Sequence, residues 1–263
     1  MKALFLMLTL LACTSAHATG RILALSPHAC EILYAIGAAD EVVGISEYCD
    51  YPDSFKEKPV IGNYSRLYVE VAMRLKPTMI VAPNTALKGL LQMEKQGSQI
   101  IITHPATLND IFEDTERIGQ LTGHISQAHE LVQTLKHRLK TIQMHIESRK
   151  RVFFEVWSTP LMTEAGRSFI TEVLAAAGGD NVFADNDVET MRLNVEAVVR
   201  AEPEIIVIPT RSGNINDRIL FWKQWLPDAR VIAVNPDLVS RPGSRIIDGI
   251  SILQQQFQQD NTL

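Results

Sequence analysis

The chain has 263 residues, 46% of them hydrophobic and 21% charged, with 25 Lys+Arg against 30 Asp+Glu and a formal net charge of −5. That length can bury a full core as one large or two small domains. A mildly acidic chain with no Lys/Arg cluster is a poor partner for nucleic acid, and three cysteines without a CxxC pair exclude a zinc ribbon.

Residues 1–18, MKALFLMLTLLACTSAHA, combine a single Lys2, an apolar run over 3–12 and a small-x-small ending at Ala16-His17-Ala18. This reads as a secretory signal peptide, too short to cross a membrane stably. Its removal takes away one positive charge, so the mature chain carries −5 − 1 = −6. Leu-Leu-Ala-Cys, ending at Cys13, offers lipoprotein anchoring as the lesser alternative to cleavage after Ala18.

Residues 21–26 (RILALS) form a short apolar strand, and Pro27 opens a helix that stops at Gly37. Residues 41–46 give a second strand, leading into the turn-rich loop EYCDYPDS. Residues 66–83 supply a helix and a strand, residues 97–104 another strand, and residues 108–121 a helix. Short strands each followed by a helix argue for parallel βα units, so residues 19–123 form an N-terminal α/β lobe. From residue 125 to about residue 148 the pattern lacks Gly and Pro and places Ala128, Leu131, Val132, Leu135, Leu139, Ile142 and Ile146 on one stripe. This is one long helix, about 35 Å at 1.5 Å per residue, a rigid connection over residues 124–150. Residues 151–263 form a second α/β lobe: a strand RVFFEVW, a helix in FITEVLAAAGG, strands near 205–209 and 230–234, and a final helix over 246–257.

One unit occurs twice. RLYVEVAMRLKPTMIVAP (66–83) and RLNVEAVVRAEPEIIVIP (192–209) align without gaps at an offset of 126. In each, a short amphipathic helix opens near the Glu and is ended by Pro77 or Pro203, and a β-branched strand follows. Two similar lobes commonly hold a ligand between them.

No GxGxxG, Walker-type or GxSxG string is present, and nothing in the sequence favours an enzyme over a binding protein. Chemistry-bearing residues instead gather at the carboxyl ends of the strands, where open α/β sheets bind ligands. In the first lobe these are Pro27 and His28, then Tyr48, Asp50 and Tyr51, then Asn84 and His104, with Tyr64 ahead of the first repeat helix. In the second they are Trp157, Leu161, Met162, Arg211 and the loop Asp237, Leu238, Val239, Ser240 and Arg241. This aromatic and apolar set suits a large, mostly neutral organic ligand. Bare zinc or manganese remains an alternative through His28 and His104, with Asp237, Glu155 or Glu164 as carboxylate partners. Cys30 and Cys49 each follow one of two adjacent strands, so a disulfide between them is expected in an exported protein; two buried thiols are the alternative.

The strings ALSPHACEILYAIG, VVGISEYCDYP, VEVAMRLKPTMIV, AAAGGDNVF, VEAVVRAEPEIIVI and RPGSRIIDG resemble the periplasmic binding proteins of ABC importers that have a helical backbone, and within them the cobalamin-binding branch. The resemblance implies a non-enzymatic periplasmic receptor, monomeric, that holds a corrinoid between its lobes. It would deliver this ligand to an inner-membrane ABC permease dimer with its ATPase. Haem or a ferric siderophore are the alternative ligands, and no intrinsic cofactor or resident metal is implied. The resemblance assigns ligand contact to Tyr48, Tyr64, Trp157 and the 237–241 loop; His28, from its place at a strand end facing the cleft, is a further expected contact, with the cobalt or the corrin edge. It assigns permease docking to Glu70 and Glu196, the acid that both copies of the repeat carry at a helix start.

Overall fold

The computed structural model describes residues 20–212 and 215–259. The expected signal peptide over 1–18, and Cys13 with it, lies outside them. The first lobe runs β1 (Ile22–Ala24), α1 (Pro27–Ala35), β2 (Val42–Ser46), β3 (Val60–Gly62), α2 (Val69–Arg74), β4 (Met79–Ala82), α3 (Leu90–Lys95), β5 (Gln99–Ile102) and α4 (Leu108–Thr122). Its strands pair in parallel in the order β3-β2-β1-β4-β5. Both faces of the sheet are covered by helices, which is why β1 and β4 are apolar and buried at every residue. Ser26 caps α1 by accepting from the Ala29 amide, and Pro27 occupies the first turn. Thr107 and Asp110 form a capping box at the start of α4.

The connecting helix is α5 (Ile125–Met144), about 30 Å long. It ends four residues before the expected stop at residue 148. His145 leaves helical geometry there, and its carbonyl is taken by the side-chain amides of Gln254 and Gln258 from the final helix. Leu131 packs against the cores of both lobes, which makes α5 part of each. Gly119 lets α4 and α5 touch, since a Cβ there would stand 2.3 Å from the Ala128 Cβ.

The second lobe runs β6 (Lys150–Ser158), β7 (Leu161–Glu164), α6 (Phe169–Ala176), β8 (Gly179–Asn181), β9 (Thr190–Arg192), α7 (Val195–Arg200), β10 (Ile205–Pro209), α8 (Asn216–Trp225), β11 (Arg230–Val234), α9 (Pro236–Val239) and α10 (Ile246–Gln258). The strand order is β11-β10-β6-β7-β9, with β8 on the first half of β6. Here β7 pairs antiparallel with both β6 and β9, an addition that the first lobe lacks. The expected two-lobed, mainly parallel α/β architecture is thus present, with one antiparallel extension.

The repeat holds in three dimensions down to single residues. α2 and α7 occupy the same positions at the offset of 126. Each is left through a non-glycine residue in the left-handed region, Lys76 at φ 45° and Glu202 at φ 44°. Both precede a proline, whose ring disfavours a further right-handed residue, so the left-handed exit is the compact way out despite its steric cost. An arginine from the neighbouring strand covers each helix end. Arg21 Nε donates to the Leu75 carbonyl at 2.7 Å, and Arg151 Nε to that of Glu202 at 3.1 Å.

Cys30 and Cys49 form a disulfide with a Cα–Cα separation of 6.2 Å, tying α1 to the loop after β2. The bridge closes a span of 19 residues, for which loop-closure entropy implies about 3 kcal/mol. The double variant Cys30→Ala/Cys49→Ala is expected to lose that much in urea unfolding, and reductant should then leave the variant unaffected while destabilising the parent.

Candidate functional site

The carboxyl edges of the two sheets face each other across a cavity of about 340 Å³. Ser26, Pro27, His28, Tyr64, Pro83, Asn84, His104 and Pro105 line it from the first lobe, and Ser240, Arg241 and Pro242 from the second. The first-lobe residues follow β1, β3, β4 and β5, with Tyr64 between β3 and α2, and the second-lobe residues follow the short α9 that comes after β11.

Beside the cavity the lobes are joined by charge. Arg241 places Nη1 2.6 Å from Asp50 Oδ1 and Nη2 3.0 Å from Asp50 Oδ2. Arg211 reaches the same carboxylate at 3.2 Å. Asp237 lies behind both guanidiniums, 2.6 Å from Arg211 and 2.9 Å from Arg241. Deeper in, Arg245 meets Glu31 at 2.6 Å and stacks over the Tyr51 ring, 4.0 Å from its centroid. Three carboxylates and three guanidiniums therefore balance. The Arg241 hydrogen bond holds the Asp50 carboxyl below the usual range. Burial pushes the Glu31 carboxyl up, against the two arginines that bond it. Gly243 is what lets the second lobe come this close: a Cβ there would stand 2.7 Å from Glu31 Oε2.

Of the expected contacts, Tyr64, His28, Ser240 and Arg241 line the cavity, and Tyr48, Trp157, Asp237 and Leu238 lie outside its lining. Tyr48 and Tyr64 are stacked, with centroids 4.1 Å apart and planes 12° from parallel, and both rings are exposed. Trp157 sits at the end of β6, 60% exposed, its indole N–H donating to the Thr159 carbonyl at 2.8 Å. Asp237 and Arg241 belong to the ion network, and Ser240 is exposed at the cavity wall.

Val239 is corrected. It is only 1% exposed within the second-lobe core, because residues 236–239 form the turn α9 and not an open loop, and α9 packs on α10. Leu238 is half-buried on the same turn. His28 lines the cavity but is 8% exposed, and its Nε2 donates to the Thr103 carbonyl at 3.1 Å. Burial pulls its pKa down to about 4. Glu155 is committed to Arg218 at 2.7 and 2.8 Å and to the Trp222 indole at 2.6 Å. Among the described residues, no group of three or more His, Cys, Asp or Glu side chains could hold a metal ion.

Glu70 and Glu196 lie in the first turns of α2 and α7, both exposed. Each helix runs back along its lobe before the strand that follows it. Its first turn therefore lies at the carboxyl edge of the sheet, the edge that bears the cavity.

Sequence reading missed Glu31 and Arg245. The only signal was an acid inside the apolar helix CEILYA, where a charge calls for a partner; nothing local named an arginine 214 residues away.

Residues 22–223 match the family described as periplasmic binding protein. The chain is 30% identical to the vitamin B12-binding protein of Yersinia pseudotuberculosis over 260 residues, covering 97% of this chain and 92% of that one. Among solved structures it resembles the periplasmic vitamin B12 binding protein BtuF of Vibrio cholerae, with a TM-score of 0.76 and 26% identity, covering 91% of this chain and 98% of that chain. The periplasmic haem binding protein HutB of Vibrio cholerae has the same fold at a TM-score of 0.83, with 17% identity over 92% of this chain and 100% of that one.

His28 generates a prediction. An imidazole kept neutral to about pH 4 in the folded state, but protonating near 6.5 when unfolded, makes the unfolded chain bind the extra proton between those values. Stability is therefore expected to fall as pH drops from 6.5 to 4, by about 3 kcal/mol from this group. Urea titrations across that range should show the parent losing about one proton's worth of slope more than His28→Gln; equal slopes would contradict the assignment.

Proposed function

The chain belongs to the periplasmic binding protein family, and from that premise we propose that it is a receptor for cobalamin. It captures the corrinoid between its lobes and passes it to an inner-membrane ABC permease dimer driven by an ATPase. The observation that carries the reading is the inter-lobe cavity, walled on one side by Tyr64, on which Tyr48 stacks, and on the other by Arg241 and Ser240. The B12-binding relatives over nearly the whole chain support it.

A cavity of about 340 Å³ is at the small end of the range for drug-sized ligands, and a corrinoid is much larger. The lobes must part to admit it. Tyr48, Tyr64 and Trp157 would then cover the faces of the macrocycle, while Ser240 and Arg241 meet its polar rim and Leu238 adds apolar area. His28 supports the wall from beneath, its Nε2 held by Thr103. The protein acts without chemical turnover, as a soluble monomer in the periplasm after removal of residues 1–18.

Calorimetry of the mature protein with cyanocobalamin, haemin, a ferric siderophore and zinc tests the reading. We expect binding of cyanocobalamin at a 1:1 ratio, and Trp157→Ala should weaken it by about 1–3 kcal/mol. Preference for haemin or the siderophore would overturn it.

Glu70 and Glu196 are the permease contacts in this reading. One exposed carboxylate per lobe at corresponding places fits a partner with two-fold symmetry, one pocket per subunit. Glu70→Lys/Glu196→Lys should leave cobalamin affinity within about twofold, since both charges are exposed and neither lines the cavity, while abolishing uptake. Intact uptake would remove the docking role.

A further inference from the structure

We propose that Arg211 and Arg241 form the receptor for an anionic group of the ligand, a phosphodiester, and that Asp50 is an internal stand-in which occupies that receptor until ligand arrives. The inference rests on the corrinoid reading above and deepens it.

The part of the second-lobe network that faces Asp50 is Arg211, Arg241 and Asp237, which together carry one excess positive charge; Arg245, the third second-lobe guanidinium, is paired with Glu31. Asp237 is bidentate to Arg211, through Nε at 3.0 Å and Nη2 at 2.6 Å, and takes Arg241 Nη2 at 2.9 Å. It is a positioning residue: it fixes the planes of both guanidiniums from behind, and is itself set by α9, where Asn235 accepts from the Asp237 amide at 2.9 Å. The donors left over point at the first lobe. They receive both oxygens of one carboxylate, Asp50, at 2.6, 3.0 and 3.2 Å.

A guanidinium pair with free fork donors matches any group that offers two oxygens and one negative charge. A phosphodiester offers two non-bridging oxygens and one charge, the same count as Asp50. Cobalamin carries such a group in its nucleotide arm; cobinamide, the same corrin without that arm, does not. Parting the lobes withdraws Asp50 from the pair. A ligand with a phosphodiester compensates the excess charge of the Arg211–Arg241–Asp237 set, and Asp50, already partly exposed, returns to water. A corrin lacking the phosphate leaves an uncompensated positive charge against the bound macrocycle, which is costly away from water. The pair therefore discriminates for the complete cofactor, and Asp50 raises the apparent dissociation constant by competing for the same donors.

Arg211 is largely exposed and Asp50 partly so, so Arg211→Gln and Asp50→Asn should fold as the parent does; circular dichroism and melting temperature check this. Each is titrated with cyanocobalamin and with dicyanocobinamide. We expect Arg211→Gln to weaken cyanocobalamin about fivefold without weakening dicyanocobinamide. Asp50→Asn should strengthen cyanocobalamin about threefold or more, because its competitor is gone. Equal losses for both corrinoids in Arg211→Gln, or weaker cyanocobalamin binding in Asp50→Asn, would overturn the subsite while leaving the corrinoid reading intact. A parent protein that binds neither corrinoid would overturn that reading and the subsite with it.

Discussion

The contact on which the rest depends is the charge network that joins the lobes: Glu31 and Asp50 on one side, Arg211, Arg241 and Arg245 on the other, with Asp237 among the arginines. Each lobe alone would be left with unbalanced charge at the edge where its strands end. Together they balance, and the close approach that this needs is allowed by Gly243. The inner pair, Arg245 and Glu31, is well buried and leaves Glu31 Oε2 and Arg245 Nε without hydrogen bonds. A buried pair with orphaned atoms contributes little net stability for its desolvation. The outer set, around Asp50, is partly exposed and weaker still. The lobes are thus held shut by forces that a ligand with compensating groups can replace, which is what a receptor requires.

Much of the frame was legible in the sequence. Pro27, Pro77 and Pro203 each sit where a helix can only begin or end, so the starts and stops of α1, α2 and α7 follow from backbone geometry. The strands β1, β4 and β10 are apolar runs buried almost throughout, and such runs are read directly. Other elements were not legible. β3 spans three residues and β7 four; they are strands because β2 and β6 offer edges to pair with, and that edge is a tertiary fact. The buried anchor of α8, Trp222, is fixed by Glu155 from a strand 67 residues earlier.

The site divides the same way. Tyr48, Tyr64, Trp157, Asp237 and Arg241 follow from the rule that ligands meet parallel strands at their carboxyl ends. Val239 failed because two consecutive residues on a turn face opposite ways, and sequence alone does not say which turns inward. Glu31 and Arg245 pair across the lobes, and no local spacing encodes such a pair. The duplicated unit added something that neither copy shows alone. Lys76 and Glu202 share a strained conformation, Arg21 and Arg151 share a capping role, and Glu70 and Glu196 share an exposed place. The first two correspondences are explained by building one helix exit twice. The third can be met at either helix by the dipole alone, and its recurrence in both lobes is what the proposed docking role rests on.

The central claim is that ligand enters by exchanging with the inter-lobe ion pairs. The most direct measurement is a crystal structure of the protein with cyanocobalamin. The account predicts the macrocycle between the Tyr48–Tyr64 pair and Trp157, with Asp50 beyond hydrogen-bonding reach of Arg211 and Arg241. A complex in which the Asp50–Arg241 pair remains at 2.6 Å, with the ligand bound elsewhere, would contradict it.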